Sequence, residues 1–192
     1  MTSLLVNHIL QTEKWTSPEL FETKNRIYTF LNPVSYLIAL ENKSLFEQFD
    51  GIFADGSLLV SAIRLVYGKR VTRRSFDMTS LAPELLNYLM ESRKTLYIVA
   101  SGQEQVECSV RIFQEQYPKL RIAGFRNGYF SSDAEMNKEA SHIVELNPDF
   151  LIVGMGALMQ EKFLLKVKKM GYQGIGFTCG GFVHQTAMNR MH

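Results

Sequence analysis

The chain has 192 residues, 46% of them apolar and 21% charged, which suits one ordinary globular domain with a substantial core. A formal net charge of +2 is too small to mark a nucleic-acid binder. The two cysteines, Cys108 and Cys179, form neither a CxxC pair nor a disulfide framework, so a reduced, cytoplasmic setting is the default. The N-terminus lacks the basic-then-apolar order of a secretion signal. No apolar run approaches the ~20 residues that span a bilayer, so any membrane contact is peripheral.

In chain order, residues 3–10 are apolar-rich and read as a strand. Thr16-Ser17-Pro18-Glu19 reads as a helix start with proline just inside it. A strand over residues 27–31 ends at Asn32-Pro33, and a helix runs on through Ala39. Residues 51–54 form a short strand ending at Asp55-Gly56, followed by a helix over 57–67 with Leu58, Leu59, Ala62, Ile63 and Val66 apolar. Residues 68–75 form a basic loop. Arg64, Lys69, Arg70, Arg73 and Arg74 all fall in one acid-free stretch. A helix over 79–92 precedes the strand TLYIVA, which ends at Ser101-Gly102. The next helix carries Val106, Val110, Phe113 and Tyr117 at helical spacing. A strand over 120–124, the loop FRNGYF and a helix over 133–146 follow.

Pro148-Asp149 then opens the run Phe150-Leu151-Ile152-Val153, apolar without alternation, as in a strand buried on both faces. Gly154 and Gly156 come next, then a helix over 158–170 with Gln160 and Glu161 in its first turn. Residues 174–178 make a last strand before Cys179-Gly180-Gly181, and no terminating element is visible before His192. The strict alternation of strand and helix from Thr95 onward predicts a single α/β domain, Rossmann-like, with a mostly parallel sheet and helices on both faces.

In such a sheet the strand ends Asn32, Asp55-Gly56, Ser101-Gly102, Gly154-Met155-Gly156 and Gly180-Gly181 gather on one edge. Glycine turns feeding helix N-termini suit a diphosphate, because free N–H groups and the helix dipole favour anions. The dinucleotide fingerprint is incomplete, since Met159 stands where its third glycine belongs. Asp55 is the best single carboxylate for proton abstraction, with an Asp-Gly turn or helix cap as the plainer reading. Arg73 or Arg74 could clamp a phosphate bidentately, or be solvated. Tyr129 could stack on a base, or simply pack. The four histidines are scattered, and no HExxH, CxxC or Asp-x-Asp pattern supports a metal site. No cofactor is called for. The Gln160-Glu161 pair reads equally well as a solvated first turn.

ADG at Ala54–Gly56 and PDFLIVGMGALMQEK from Pro148, with IAGFRNGYF and GFTCGGF in support, resemble the WecG/TagA/CpsF family of bacterial glycosyltransferases over nearly the whole chain, 1–192. The resemblance implies an inverting, metal-independent transferase. It would move a sugar from a nucleotide donor, usually UDP-linked, to a polyprenyl-diphosphate-linked acceptor at the inner face of the cytoplasmic membrane, in surface polysaccharide synthesis. It assigns Asp55 as base and Arg73 to the diphosphate. Gln160, Tyr129, Thr29 and Asn32 fall at substrate- or nucleotide-binding positions, beside the turns at Gly102, Gly154, Gly156, Gly180 and Gly181. Nucleic acid is not an implied partner, and a homo-oligomer is left open. Leu158-Met159 replaces the family's Pro-Lys, Ser75-Phe76-Asp77 stands for Gly-x-Asp, and Val183 occupies a usual aspartate position. A C-terminal, membrane-contacting extension of the family is expected to be absent here. The competing class is a non-catalytic nucleotide-sugar-binding domain.

Overall fold

The structure is a computed structural model that describes residues 4–189. In chain order it contains α1 (Leu4–Thr12), α2 (Ser17–Glu22), β1 (Arg26–Leu31), α3 (Pro33–Glu41), α4 (Lys43–Phe46), β2 (Gly51–Ala54), α5 (Ser57–Tyr67), α6 (Leu81–Ser92), β3 (Thr95–Ala100), α7 (Gln103–Gln116), β4 (Arg121–Arg126), α8 (Asp133–Leu146), β5 (Phe150–Gly154), α9 (Met159–Lys169), β6 (Ile175–Thr178) and α10 (Phe182–Met188). The strands form one six-stranded sheet in the order β2-β1-β6-β5-β3-β4, with every pairing parallel. The expected α/β architecture is therefore present.

The central strands are buried along their length, because helices cover both faces of the sheet. One face packs α2, α6, α7 and α10 through Leu20, Leu85, Val106, Phe113 and Phe182. The other packs α1, α3, α5, α8 and α9 through Ile9, Ala39, Leu59, Ile143 and Phe163. Local chemistry sets the helix starts. Thr16 and Glu19 form a capping box on α2, with the Thr16 N–H donating to Glu19 Oε2 at 2.6 Å, and Ser132 Oγ accepts from the Glu135 N–H on α8. Asp149, at the start of the Pro148 run, lies at the N-terminal edge of the sheet, away from the glycine turns. It accepts from the Thr95 N–H at 3.0 Å and pairs with Lys94 at 3.2 Å, pinning β5 to β3.

Four readings change. Residues 4–10 belong to α1, not to a strand, and residue 3 lies outside the described residues. The buried set Leu5, Val6, Ile9 and Thr12 has helical spacing, a distinction that a short apolar run hides. Strand β4 continues to Arg126, so it takes the first two residues of the expected loop. Helix α6 begins at Leu81 rather than Thr79. Helices α4 and α10 were not foreseen, and α10 is the element that follows Gly180-Gly181.

Gly154 is required by packing. A Cβ there would lie 2.6 Å from the Gly180 carbonyl oxygen and 2.8 Å from Cys179 Sγ. Gly154→Ala should therefore lower stability by about 1–3 kcal/mol, read as a reduced urea midpoint at unchanged m-value. An unchanged midpoint would mean that the turn into α10 yields freely.

Candidate active site

The helices after neighbouring strands leave to opposite faces. Helix α7 follows β3 on one face, α9 follows β5 on the other, α10 follows β6 on the first, and α3 follows β1 on the second. Each divergence opens a crevice at the C-terminal strand ends, as at the switch point of any doubly wound sheet. Two cavities that share part of their walls occupy this edge.

The larger, of about 730 Å³, is lined by Ser101, Gly102, Gln105, Gly128, Tyr129, Gly154, Met155, Gly156, Gly180, Gly181 and His184 among others. Six expected positions thus meet in one cleft. Its floor is stitched by backbone: the Ser101 N–H donates to the Gly154 carbonyl at 3.1 Å, and the Gly128 N–H donates to the Ser101 carbonyl at 2.8 Å. Ser101 takes a left-handed φ of 55° to do so. Tyr129 is 74% exposed, yet its loop is held. Arg126 Nη2 donates to the Tyr129 carbonyl at 2.8 Å, the guanidinium stacks 4.0 Å over the Phe130 ring, and it pairs with Glu135 at 3.1 Å. Helix α7 starts at Gly102 with no side-chain cap, so its first N–H groups remain available to an anion.

The smaller cavity, of about 340 Å³, is lined by Phe30, Asn32, Asp55, Asp77, Gln160, Thr178 and Gln185 among others, and shares Gly156, Gly180 and Gly181 with the first. Asp55 is half-buried at the end of β2. Burial pushes its carboxyl above the ordinary range; the Arg73 charge opposes this, Asp77 adds to it, and a Gly56 N–H bond opposes it. Gly56 itself is the N-cap of α5, at φ 85°, with no side-chain cap present. Asp55 is therefore not spent as a helix cap. Asn32 caps α3, accepting from the Val34 and Ser35 N–H groups at 3.0 and 2.9 Å.

Arg73 lines neither cavity. It donates to Asp77 Oδ2 at 2.7 Å and to Thr79 Oγ1 at 3.3 Å, on the rim beside Asp55. Burial works against ionised Asp77, but hydrogen bonds from Thr79 and Ser75 and the Arg73 charge outweigh it and hold Asp77 below the usual carboxylate range. Arg74 turns the other way, over the Phe53 ring at 5.1 Å and onto the Trp15 carbonyl at 2.9 Å. Val183 is fully buried in the core cluster that includes Val106, Val110 and Phe113 of α7, and it lines neither cavity. Among the described residues, no group of three or more His, Cys, Asp or Glu side chains is placed to hold a metal ion.

Sequence reasoning missed what Glu161 does. It is 0% exposed and has no cationic partner among the ion pairs of the described residues. Its Oε1 accepts from Thr29 Oγ1 at 2.8 Å and Gln160 Nε2 at 3.0 Å, and its Oε2 accepts from the Leu158 N–H at 2.7 Å. Thr29 also meets Thr178 Oγ1 at 2.8 Å, and Gln160 Oε1 accepts from the Gly180 N–H at 3.1 Å. Burial raises the Glu161 carboxyl, against the hydrogen bonds from Gln160, Thr29 and the backbone. Thr29 is likewise fully buried, so it supports the cavity wall from behind. Leu158 sits at φ 72°, a strained value for an L-residue and one a proline ring forbids. The start of α9 thus differs in conformation from the Pro-Lys pattern, and Glu161 holds it in place.

Removing this acceptor strands three donors. Glu161→Ala should cost about 1–3 kcal/mol of stability and release Gln160 from Gly180. Glu161→Gln, which keeps an acceptor oxygen, should recover most of the stability. Urea denaturation of both variants checks this, and equal midpoints for Ala and wild type would remove Glu161 from the framework.

Comparison with known proteins bears on what this edge does. The family described as Glycosyl transferase WecG/TagA/CpsF matches residues 9–190. The chain is 31% identical over 182 residues to a Shigella boydii protein named UDP-Gal:alpha-D-GlcNAc-diphosphoundecaprenol beta-1,4-galactosyltransferase, covering 95% of this chain and 72% of the relative. It is 23% identical over 159 residues to a Bacillus subtilis N-acetylglucosaminyldiphosphoundecaprenol N-acetyl-beta-D-mannosaminyltransferase, covering 81% of this chain and 60% of that one. A Staphylococcus aureus protein of the same name is 25% identical over 146 residues, and there the chain spans 56% of the relative's length. With the match running through the glycine-walled cleft, the Asp55 turn and the Gln160-Glu161 helix start alike, the chain belongs to the WecG/TagA/CpsF family of glycosyltransferases.

Proposed function

We propose that this chain transfers a sugar from a nucleotide donor, UDP-linked as in the Shigella relative's name, onto a sugar carried by a lipid diphosphate, with inversion and without a metal ion. The observation that carries the reading is Asp55: a half-buried carboxylate of raised pKa, not used as a cap, in a cavity that shares the walls at Gly156, Gly180 and Gly181 with a large glycine-walled cleft. The donor diphosphate lies against the α7 N-terminus, where uncapped N–H groups and the helix dipole favour it. Tyr129 offers an aromatic face to the base. The sugar carbon then points toward the turns that the two cavities share, with the acceptor hydroxyl on the Asp55 side.

As the acceptor oxygen attacks, its proton passes to the Asp55 carboxylate. The bond from sugar carbon to donor phosphate breaks, and the nucleoside diphosphate leaves with that electron pair. One carboxylate suffices for one displacement, and one displacement inverts the carbon. Arg73 and Asp77 set the field at Asp55 from the rim, and Gln160, fixed by Glu161 and Gly180, forms the wall facing it. The diphosphoundecaprenol acceptors in the relatives' names support a role at the inner membrane face in polysaccharide synthesis. A non-catalytic binding domain would be favoured by an Asp55 that is buried and spent as a cap, whereas Asp55 is half-buried and Gly56 holds the N-cap position of α5.

Asp55→Asn keeps the turn chemistry and should lower kcat by about 10²–10⁴-fold while UDP affinity, read by calorimetry, stays near wild type. Full turnover in a folded, UDP-binding variant would end the base assignment. Because the base must be deprotonated, kcat/KM should rise with pH through an acid limb above the ordinary aspartate value of about 3.9. Asp77→Asn should move that limb down and Arg73→Gln should move it up, since Asp77 raises and Arg73 lowers the Asp55 pKa. Turnover should also survive excess EDTA. Activity lost to chelator and restored by magnesium or manganese would overturn the metal-free step.

A further inference from the structure

We propose that the outer faces of α3 and α5, with the basic segment after α5, dock this protein on an anionic phospholipid bilayer. The proposal rests on the lipid-linked acceptor above and adds the surface that meets the membrane. Helix α5 reads SLLVSAIRLVY, yet only Leu59 and Ile63 of its eleven residues are buried. Leu58, Leu65 and Val66 are 69%, 88% and 69% exposed. Leu58, Ala62 and Leu65, spaced four and three apart, form one outward stripe. On α3, Val34 and Leu37 are 68% and 63% exposed, three residues apart.

Topology brings these stripes together. Strands β1 and β2 are hydrogen-bonded neighbours, and α3 and α5 pack on the same face of the sheet through Ala39, Leu59 and Ile63. Both helices start at the C-terminal strand edge, α3 directly after Asn32 and α5 directly after Asp55-Gly56, so Val34 and Leu58 lie two and three residues along the chain from the cavity residues Asn32 and Asp55. Scattered exposed apolar residues need no explanation, but this concentration on two helices that follow neighbouring strands on one face of the sheet does.

Charge selects the occupant. Residues 56–76 contain five basic residues, Arg64, Lys69, Arg70, Arg73 and Arg74, and no acid. Arg73 and Arg74 are engaged at the cavity rim and on Trp15. Arg64, Lys69 and Arg70 are exposed and enter none of the ion pairs among the described residues. A second copy docked across a two-fold axis would bring like charges together. An anionic bilayer instead takes the apolar stripes into its interface and the cations against its phosphates. That placement also sets the Asp55 cavity at the surface where a diphosphate-linked sugar stands.

The test is co-sedimentation of the full chain with phosphatidylglycerol vesicles and with phosphatidylcholine vesicles. Wild type should bind the anionic vesicles, less so at high salt. Lys69→Ser with Arg70→Ser should weaken binding by roughly fivefold for each charge removed, and Leu65→Ser with Val66→Ser by roughly tenfold or more. These positions are exposed, so circular dichroism should be unchanged. Turnover should fall in parallel on vesicle-embedded acceptor but not on a short-chain, water-soluble acceptor. Vesicle binding equal to wild type in both double variants would overturn the proposal, as would binding indifferent to lipid charge, or a wild-type dimer that these substitutions dissociate while vesicle binding persists. Absent turnover on the soluble acceptor in wild type would count against the transferase reading alone, and vesicle binding would still decide the docking surface.

Discussion

A carboxylate in the core without a cation is the constraint on which this molecule depends. Burying a charged or ionisable group is costly unless hydrogen bonds replace its hydration. Glu161 meets that demand with donors from two elements: Thr29 on β1, and Gln160 and the Leu158 backbone at the start of α9. Thr178 on β6 joins through Thr29, and Gly180 joins through Gln160. The C-terminal ends of β1 and β6 and the start of α9 are thus tied around one group. The β6 end and the turn into α9 wall both cavities and the β1 end walls the smaller one, so these walls are tied together before any ligand arrives. A site already in place loses less free energy to ordering when it binds.

The second organising feature is the alternation of helix faces along the sheet. Because α7, α9, α10 and α3 diverge in turn, the crevice runs on from β3 through β5 and β6 to β1. The result is two cavities of different character with a shared wall. The one between β3 and β5 is large, walled by glycines and open to helix N-termini. The one beside β1 is smaller and carries the acids. The first is the proposed nucleotide site and the second holds the proposed base, and the two share walls at Gly156, Gly180 and Gly181. Arg126 completes the first cavity from outside, since its bonds to the Tyr129 loop keep an exposed aromatic ring in place.

Around Asp55 the electrostatics are balanced rather than extreme. Burial and Asp77 favour the neutral acid, while Arg73 and the Gly56 N–H favour the carboxylate. A base is useful when its pKa lies nearer the working pH than that of a free aspartate. Cys179, by contrast, lies in the same wall with its thiol pushed up to about 12 by burial, so it serves there as a small apolar filler.

The amino-acid order by itself determined the parallel sheet, most of its strands, and the set of strand ends that carry the site. Those features are local: unbroken apolar runs, glycine turns and helical spacing act over a few residues and need no knowledge of the rest of the chain. The same holds for Asp55, marked by its place between an apolar strand and a glycine. Residues 4–10 were not legible as helix, because a short apolar run fits either period. Tertiary structure alone decided the roles of Glu161, Thr29, Arg73 and Arg74. Glu161 and Thr29 stand 132 positions apart, and nothing in a Gln-Glu pair says whether it meets water or a buried hydroxyl. Only the packing of α9 against β1 turns that pair inward. Arg73 and Arg74 are adjacent and chemically alike, and the hydrogen bond from the Arg74 N–H to the Ala54 carbonyl at 2.9 Å sets which one faces Asp77 and which one covers Phe53. The chain supplies such groups; the direction each one points is set by whichever distant surface buries it.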